Sequence, residues 1–215
     1  MKVLVLDTET TGLPPFNQSP TKYNVKYWPY IVQLSFIIYD TTLNKIITEY
    51  DSIIKIPDGI IITEKNSEIH GITNSISKIQ GYDIKDVIGI FKAAFSNADL
   101  IVCHNTHFDI DILSAELIRN NIVINDLHIK NKYCTMINSK DICKLTKTDK
   151  NGKRYNKYPS LLELHTYLFE TKLNNLHNSY VDILVCLRCY CKLTLDKDLC
   201  LINKKFNSLY KKYTV

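Results

Sequence analysis

The 215-residue chain has no apolar run long enough to span a bilayer, which excludes a membrane-crossing helix. No secretory leader is expected, because the first apolar stretch, Val3-Leu4-Val5-Leu6, meets Asp7 almost at once. There is no internal repeat and no marked domain boundary, so a single domain over 1–215 is expected. A disulfide framework is missing too: the seven cysteines are odd in number and irregularly spaced, as for reduced thiols inside a cell. Cys186, Cys189 and Cys191 have no second ligand pair nearby and sit in a helical apolar pattern, so they read as core rather than as a zinc site. An intracellular protein, cytoplasmic or nuclear and neither secreted nor membrane-bound, is therefore expected. With 45% hydrophobic and 23% charged residues, it can bury a full core without staples. The net charge of +5 permits a polyanionic partner.

The opening residues are short, branched and apolar, which predicts a buried strand running into Asp7-Thr8-Glu9. Side chains alternate along a strand, so Asp7 and Glu9 share a face one pleat apart. Phe16 to Tyr30 reads as a surface loop. Ile31 to Tyr39 and Lys45 to Ile56 read as strands joined by a turn, making an antiparallel meander with the first. Thr63 to Ile69 predicts a short helix ended by His70-Gly71. Ile84 to Asn97 has helical apolar spacing, and Leu100 to Cys103 is short and wholly apolar, as in a buried central strand. Phe108 to Ile118 predicts a helix, Ile122 to Thr135 holds one further short strand, and Lys140 to Pro159 is polar and basic. Leu161 onward, opened by Pro159-Ser160, and Val181 onward predict two more helices. A lysine-rich helical tail follows from Leu195. Strands first, then strands alternating with helices, indicate an α/β domain on a mixed sheet.

Acids stand in unusual company at three places. Asp7 and Glu9 repel unless a cation lies between them, and hard ions such as Mg²⁺ take carboxylate oxygens. Asp109 follows the strand Leu100 to Cys103 within His104-Asn105-Thr106-His107-Phe108-Asp109. Asp182 closes His177-Asn178-Ser179-Tyr180-Val181-Asp182. Each has an ordinary reading when taken alone: a solvated strand end, a helix N-terminal acid, and a Ser179-x-x-Asp182 capping box.

Taken together, the four acids and the His177-x-x-x-x-Asp182 spacing resemble the DEDDh-type 3′–5′ exonucleases, a DnaQ-like family. The sister branch has a tyrosine where this chain has Asn178. The resemblance covers about residues 1–193, leaving 194–215 as an extension. Ile31-Val32-Gln33-Leu34, His70-Gly71-Ile72-Thr73, Asn105, Phe108 and Pro159-Ser160-Leu161-x-x-Leu164 agree with it, whereas Ser179 stands where alanine is more usual. The fold it implies is a ribonuclease H-like mixed five-stranded sheet flanked by helices.

The activity it implies is metal-dependent hydrolysis of single-stranded nucleic acid from the 3′ end to 5′-mononucleotides. Two divalent cations, Mg²⁺ or Mn²⁺, roughly 3.5–4 Å apart, would activate water and stabilise the leaving oxygen. Asp7, Glu9, Asp109 and Asp182 would hold them, and His177 would be the general base. Thr10, Thr11, Leu13, His70, Asn105 and Phe108 would border the terminal nucleotide. DNA is favoured over RNA, with an exoribonuclease or oligoribonuclease as the alternative. Family patterns also allow a homodimer and a polymerase or replication complex. A silent nucleic-acid-binding or polymerase-associated module would have a broken acid set, and an endonuclease or strand-transfer enzyme of this broad fold would lack the His177 spacing. The basic residues between Lys144 and Lys157, interleaved with Tyr155 and Tyr158, form either a solvated surface or a flexible arm for the strand's phosphates.

Overall fold

The computed structural model describes residues 1–171, 173 and 177–214. Strand β1 (Lys2–Thr10) continues through the acidic pair and is flanked on one side by β2 (Ile31–Asp40) and β3 (Lys45–Ile53). On its other side lie β4 (Leu100–Cys103) and β5 (Lys132–Cys134). The order is β3-β2-β1-β4-β5. The first three strands pair antiparallel, while β4 pairs parallel with β1 and with β5. This is the mixed five-stranded sheet flanked by helices expected of a ribonuclease H-like fold.

Helices cover both faces. On one, α3 (Ile84–Ser96) and α4 (Thr106–Arg119) pack against Leu4, Leu6, Phe36 and Ile101. On the other, α7 (Ser179–Leu195) packs against Val3, Val5, Ile37 and Val102. With both faces covered, every residue of β2 is buried, which is why its sequence alternates only partly. Cys186, Cys189 and Cys191 lie buried in the α7 layer as free thiols, in keeping with the core reading. Among the described residues no helix is long and apolar enough to cross a membrane.

Between β3 and β4 run α1 (Glu64–His70) and α2 (Asn74–Gln80). The first is capped by Thr63 and ended by Gly71 at φ 76°; the second has no apolar periodicity long enough to announce it. Strand β3 stops at Ile53 rather than Ile56. There the chain turns to Tyr82, whose N–H donates to the Ile53 carbonyl at 2.9 Å and whose carbonyl accepts from Lys55 N–H at 2.9 Å. The approach depends on Gly81, where a Cβ would lie 2.4 Å from the Lys55 nitrogen.

The polar stretch 140–159 is not a loop throughout. It begins inside α5 (Thr135–Cys143) and continues as an antiparallel hairpin, β6 (Thr146–Thr148) with β7 (Arg154–Asn156). Helix α6 (Leu161–Phe169) follows, opened by a Ser160/Glu163 capping box. The lysine-rich tail forms α8 (Leu199–Ile202) and α9 (Lys204–Thr214), with Phe206 and Tyr210 buried against the α7 layer.

Candidate active site

The acids converge at the carboxyl end of β1. Asp7 and Glu9 share the α7 face, opposite Ser35 and Gln33 of β2 in register. Asp182 lies one turn into α7. The capping-box reading of Ser179 does not hold: the cap is Asn178, whose Oδ1 accepts from Tyr180 N–H at 3.1 Å and Val181 N–H at 3.4 Å. Carboxylate oxygens of Asp7, Glu9 and Asp182 lie within 4.8 Å of one another, the one such set among the described acids, histidines and cysteines. Asp109 arrives from the opposite face on α4. Pairing of β4 with β1 ends at Val5↔Val102, which opens the flank of β1 beside Asp7. Asp109 stands outside the 4.8 Å set, and its Oδ1 accepts from Thr8 Oγ1 at 3.0 Å.

Burial dominates the electrostatics, and mutual repulsion adds to it. Asp7 is held well above the usual carboxylate range by burial first, then by Asp109, Asp182 and Glu9. Burial, with Asp182 and Asp109, pushes Glu9 up to about 8. Asp109 and Asp182 are raised as well, chiefly by burial, against the bonds from Thr8 and from the His177 backbone. The Asp182 Oδ2 accepts from His177 N–H at 3.3 Å, whereas its Oδ1 is buried with no partner. Four buried carboxylates, three of them close together and one with an orphaned buried oxygen, are the donor set a hard divalent cation fits.

His177 itself is exposed, with a left-handed backbone at φ 75°. Asn105 also has positive φ, 78°, and caps α4 without a side-chain bond, which leaves its amide exposed at a cleft of about 690 Å³. Leu13, Phe16, Trp28 and Phe108 line that cleft, with Leu13 85% exposed. Thr10 and Thr11 are engaged within the fold. Thr10 Oγ1 donates to the Gly12 carbonyl at 2.6 Å, and Thr11 N–H donates to the Tyr30 carbonyl at 2.9 Å. The Thr11 carbonyl accepts from the Asn66 amide. His70 is buried behind this strand end, its Nδ1 accepting from Ile72 N–H at 3.1 Å and its Nε2 without a partner.

Sequence reasoning missed the supports. Ser179 N–H donates to Gln33 Oε1 at 3.2 Å, and Gln33 Nε2 donates to Asp51 Oδ1 at 2.8 Å. Ser35 Oγ donates to the same Asp51 oxygen at 2.7 Å, so the 2.5 Å contact between Ser35 and Ser179 is donated by Ser179. This network ties the first turn of α7 to the strand facing Asp7 and Glu9. Two polar residues in the otherwise apolar run Ile31 to Ile38 were its only signal.

The chain matches the family model described as "Exonuclease" over residues 4–190. No curated protein sequence matches it. Among solved structures it is similar to E. coli Exonuclease I in complex with a dT13 oligonucleotide, with 14% identity and a TM-score of 0.66, covering 95% of this chain and 43% of that one. It is also similar to Exonuclease I from Methylocaldum szegediense, with 16% identity and a TM-score of 0.65, covering 96% and 44%. Cell-death related nuclease 4 is a third, with 14% identity and a TM-score of 0.66, covering 91% and 64%. The chain therefore spans less than half the length of the Exonuclease I structures, and at these identities the likeness is one of fold. The match over residues 4–190 places the chain in the exonuclease family.

Proposed function

We propose that the protein is a 3′–5′ exonuclease that removes 5′-mononucleotides from single-stranded nucleic acid, with DNA as the favoured polymer. The observation that carries this reading is the carboxylate set itself: Asp7, Glu9 and Asp182 oxygens within 4.8 Å, with the Asp182 Oδ1 buried and unpartnered. Asp7, Glu9, Asp109 and Asp182 would hold two divalent cations, Mg²⁺ or Mn²⁺. When bound, such ions supply charge neutralisation for the phosphodiester and ready access to hydroxide at neutral pH.

The chain's own groups do the rest. Thr8 Oγ1 donates to Asp109 Oδ1 and so holds that carboxylate in one orientation. The His177 backbone N–H fixes Asp182 Oδ2 in the same way, and its exposed imidazole would accept the proton of the attacking water. The cleft between Leu13 and Phe108 would take the terminal base and sugar by sequence-tolerant contact, with the Asn105 amide at its rim. Thr10, Thr11 and His70 would shape the strand end behind it. DNA is favoured because Exonuclease I, similar in fold, is seen with dT13 and dA16 oligonucleotides.

The test offers 5′-end-labelled single-stranded DNA, RNA, short oligoribonucleotides and a closed circular single strand with Mg²⁺. A ladder shortening from the 3′ end of DNA, an intact circle, and loss of activity in Asp7→Ala and His177→Ala are expected. A cut circle would make the protein an endonuclease, and RNA-only cleavage would move it to the exoribonucleases. Inert behaviour on every substrate would leave a binding module.

A further inference from the structure

The hairpin of β6 and β7 adds nothing to the core, since every residue of both strands is exposed. Two isolated strands are marginal in water, so its form rests on its turn. The single carboxylate between Lys144 and Tyr158, Asp149, is consumed there: its Oδ1 accepts from Asn151 N–H at 2.8 Å and Lys153 N–H at 2.9 Å, and Gly152 takes φ 79°. The cations Lys144, Lys147, Lys150, Lys153 and Arg154 have no carboxylate within ion-pair distance among the described residues; only Lys157 has one, Glu163. Lys147 faces Tyr155 directly across the ladder, which sets a cation beside a 44% exposed ring on one face.

The hairpin's base is tied to the segment that leads into α4. Past β7, the Pro159 carbonyl accepts from His104 Nε2 at 3.1 Å. His104 lies between β4 and Asn105, one residue short of the helix that carries Asp109. At the other foot, Lys157 N–H donates to the Leu145 carbonyl at 2.9 Å.

We propose that this hairpin is a strand-holding arm, a basic, tyrosine-bearing surface that grips the phosphates of the single strand behind its 3′ end. The proposal rests on the exonuclease reading for its substrate class. The arm is a folded hairpin rather than a flexible loop, and it is tied through His104 to the segment before α4. Unneutralised positive charge on a surface that buries nothing is complementary to a polyanion, and an exposed ring beside it offers stacking without sequence preference.

The test compares the wild type with a variant carrying Lys147→Ala, Lys150→Ala, Lys153→Ala and Arg154→Ala, all outside the candidate catalytic set. Fluorescence anisotropy with a 5′-labelled 20-nucleotide oligo-dT, Ca²⁺ replacing Mg²⁺, is followed across a NaCl series. Hydrolysis of the p-nitrophenyl ester of thymidine 5′-phosphate, too short to reach the arm, is measured in parallel with Mg²⁺. The variant is expected to bind on the order of tenfold or more weakly, and its slope of log K against log salt should shrink by roughly 0.7 for each phosphate no longer neutralised. Its rate on the ester should match the wild type. Unchanged affinity and slope would overturn the arm, including the case in which the hairpin serves a protein partner instead. Failure of the exonuclease reading looks different: the wild type would not hydrolyse the ester, while the binding slopes would still report on the hairpin.

Discussion

The seam between Ser35 and Ser179 joins the strand facing Asp7 to the helix carrying Asp182, and replacing either serine with alanine tests it. Both side chains are fully buried. Ser35→Ala removes a bond to the Asp51 carboxylate and strips Ser179 of its acceptor. A hydrogen bond to a charged group contributes about 1.5–3 kcal/mol, and an orphaned buried hydroxyl costs about 1–3 kcal/mol. Asp51 is solvent-exposed and keeps Gln33, so the first contribution falls at its low end and the sum comes to roughly 2.5–4.5 kcal/mol. Ser179→Ala is milder: Ser35 retains Asp51, and one neutral bond is removed, about 0.5–1.5 kcal/mol. The double variant has no orphan, so adding Ser179→Ala to Ser35→Ala should cost nothing or restore about 1 kcal/mol. Urea denaturation read from midpoints at constant slope measures all four corners of the cycle. A double variant destabilised by the full sum of the two singles would refute the donor and acceptor assignment.

His165 is fully buried, with Nδ1 bonded to the Thr171 carbonyl and Nε2 accepting from both Arg188 and Tyr210, so protonation is opposed and its pKa falls from 6.5 to about 4. Its folded value is depressed, so its contribution is intact above pH 6.5 and is lost as pH falls toward 4. The loss is up to about 3 kcal/mol, and His165→Gln should flatten that limb of a stability–pH curve. Glu9 is raised to about 8, so without cations the folded state carries a penalty that grows between pH 4.5 and 8. In EDTA at pH 7.5, Glu9→Gln should therefore melt above the wild type, and Mg²⁺ should narrow the gap; a lower melting temperature for the variant would contradict this. Phe206→Ala, in the buried anchor of α9, should cost about 3–5 kcal/mol, whereas Leu201→Ala, 84% exposed, should stay within about 0.5 kcal/mol by the same melts.

How much of this could be read in advance depended on the kind of signal. Strands β1, β2 and β4 and helices α3, α4 and α7 bury apolar residues at their own periods, so the sheet and its flanking layers were legible. Strand alternation put Asp7 and Glu9 on one face, but local pattern gave Asp109 and Asp182 only ordinary helix-entry readings, and it was the family resemblance that grouped the four. Helix α2 and the β6–β7 hairpin were not legible, because turn geometry and caps hold them rather than an apolar stripe. Arg188 shows another limit. Helical spacing from the buried Val181, Leu184 and Val185 puts it on the inner side of α7, where it pairs with Asp198 at 2.8 Å beside His165 and Tyr210. Nothing at the level of spacing distinguishes a core residue from the hub of such a network. The Thr8 bond to Asp109 and the Asp51–Ser35–Ser179 chain are likewise matters of register between distant segments.

Direct titration tests whether these separated carboxylates hold divalent cations. Mn²⁺ is added to the wild type and to Asp7→Asn in the presence of thymidine 5′-phosphate, with bound ion read by electron paramagnetic resonance. Two ions per wild-type chain are expected, and their loss in Asp7→Asn, the residue most crowded by the other three acids. Equal binding by both proteins, or none by the wild type, would contradict this.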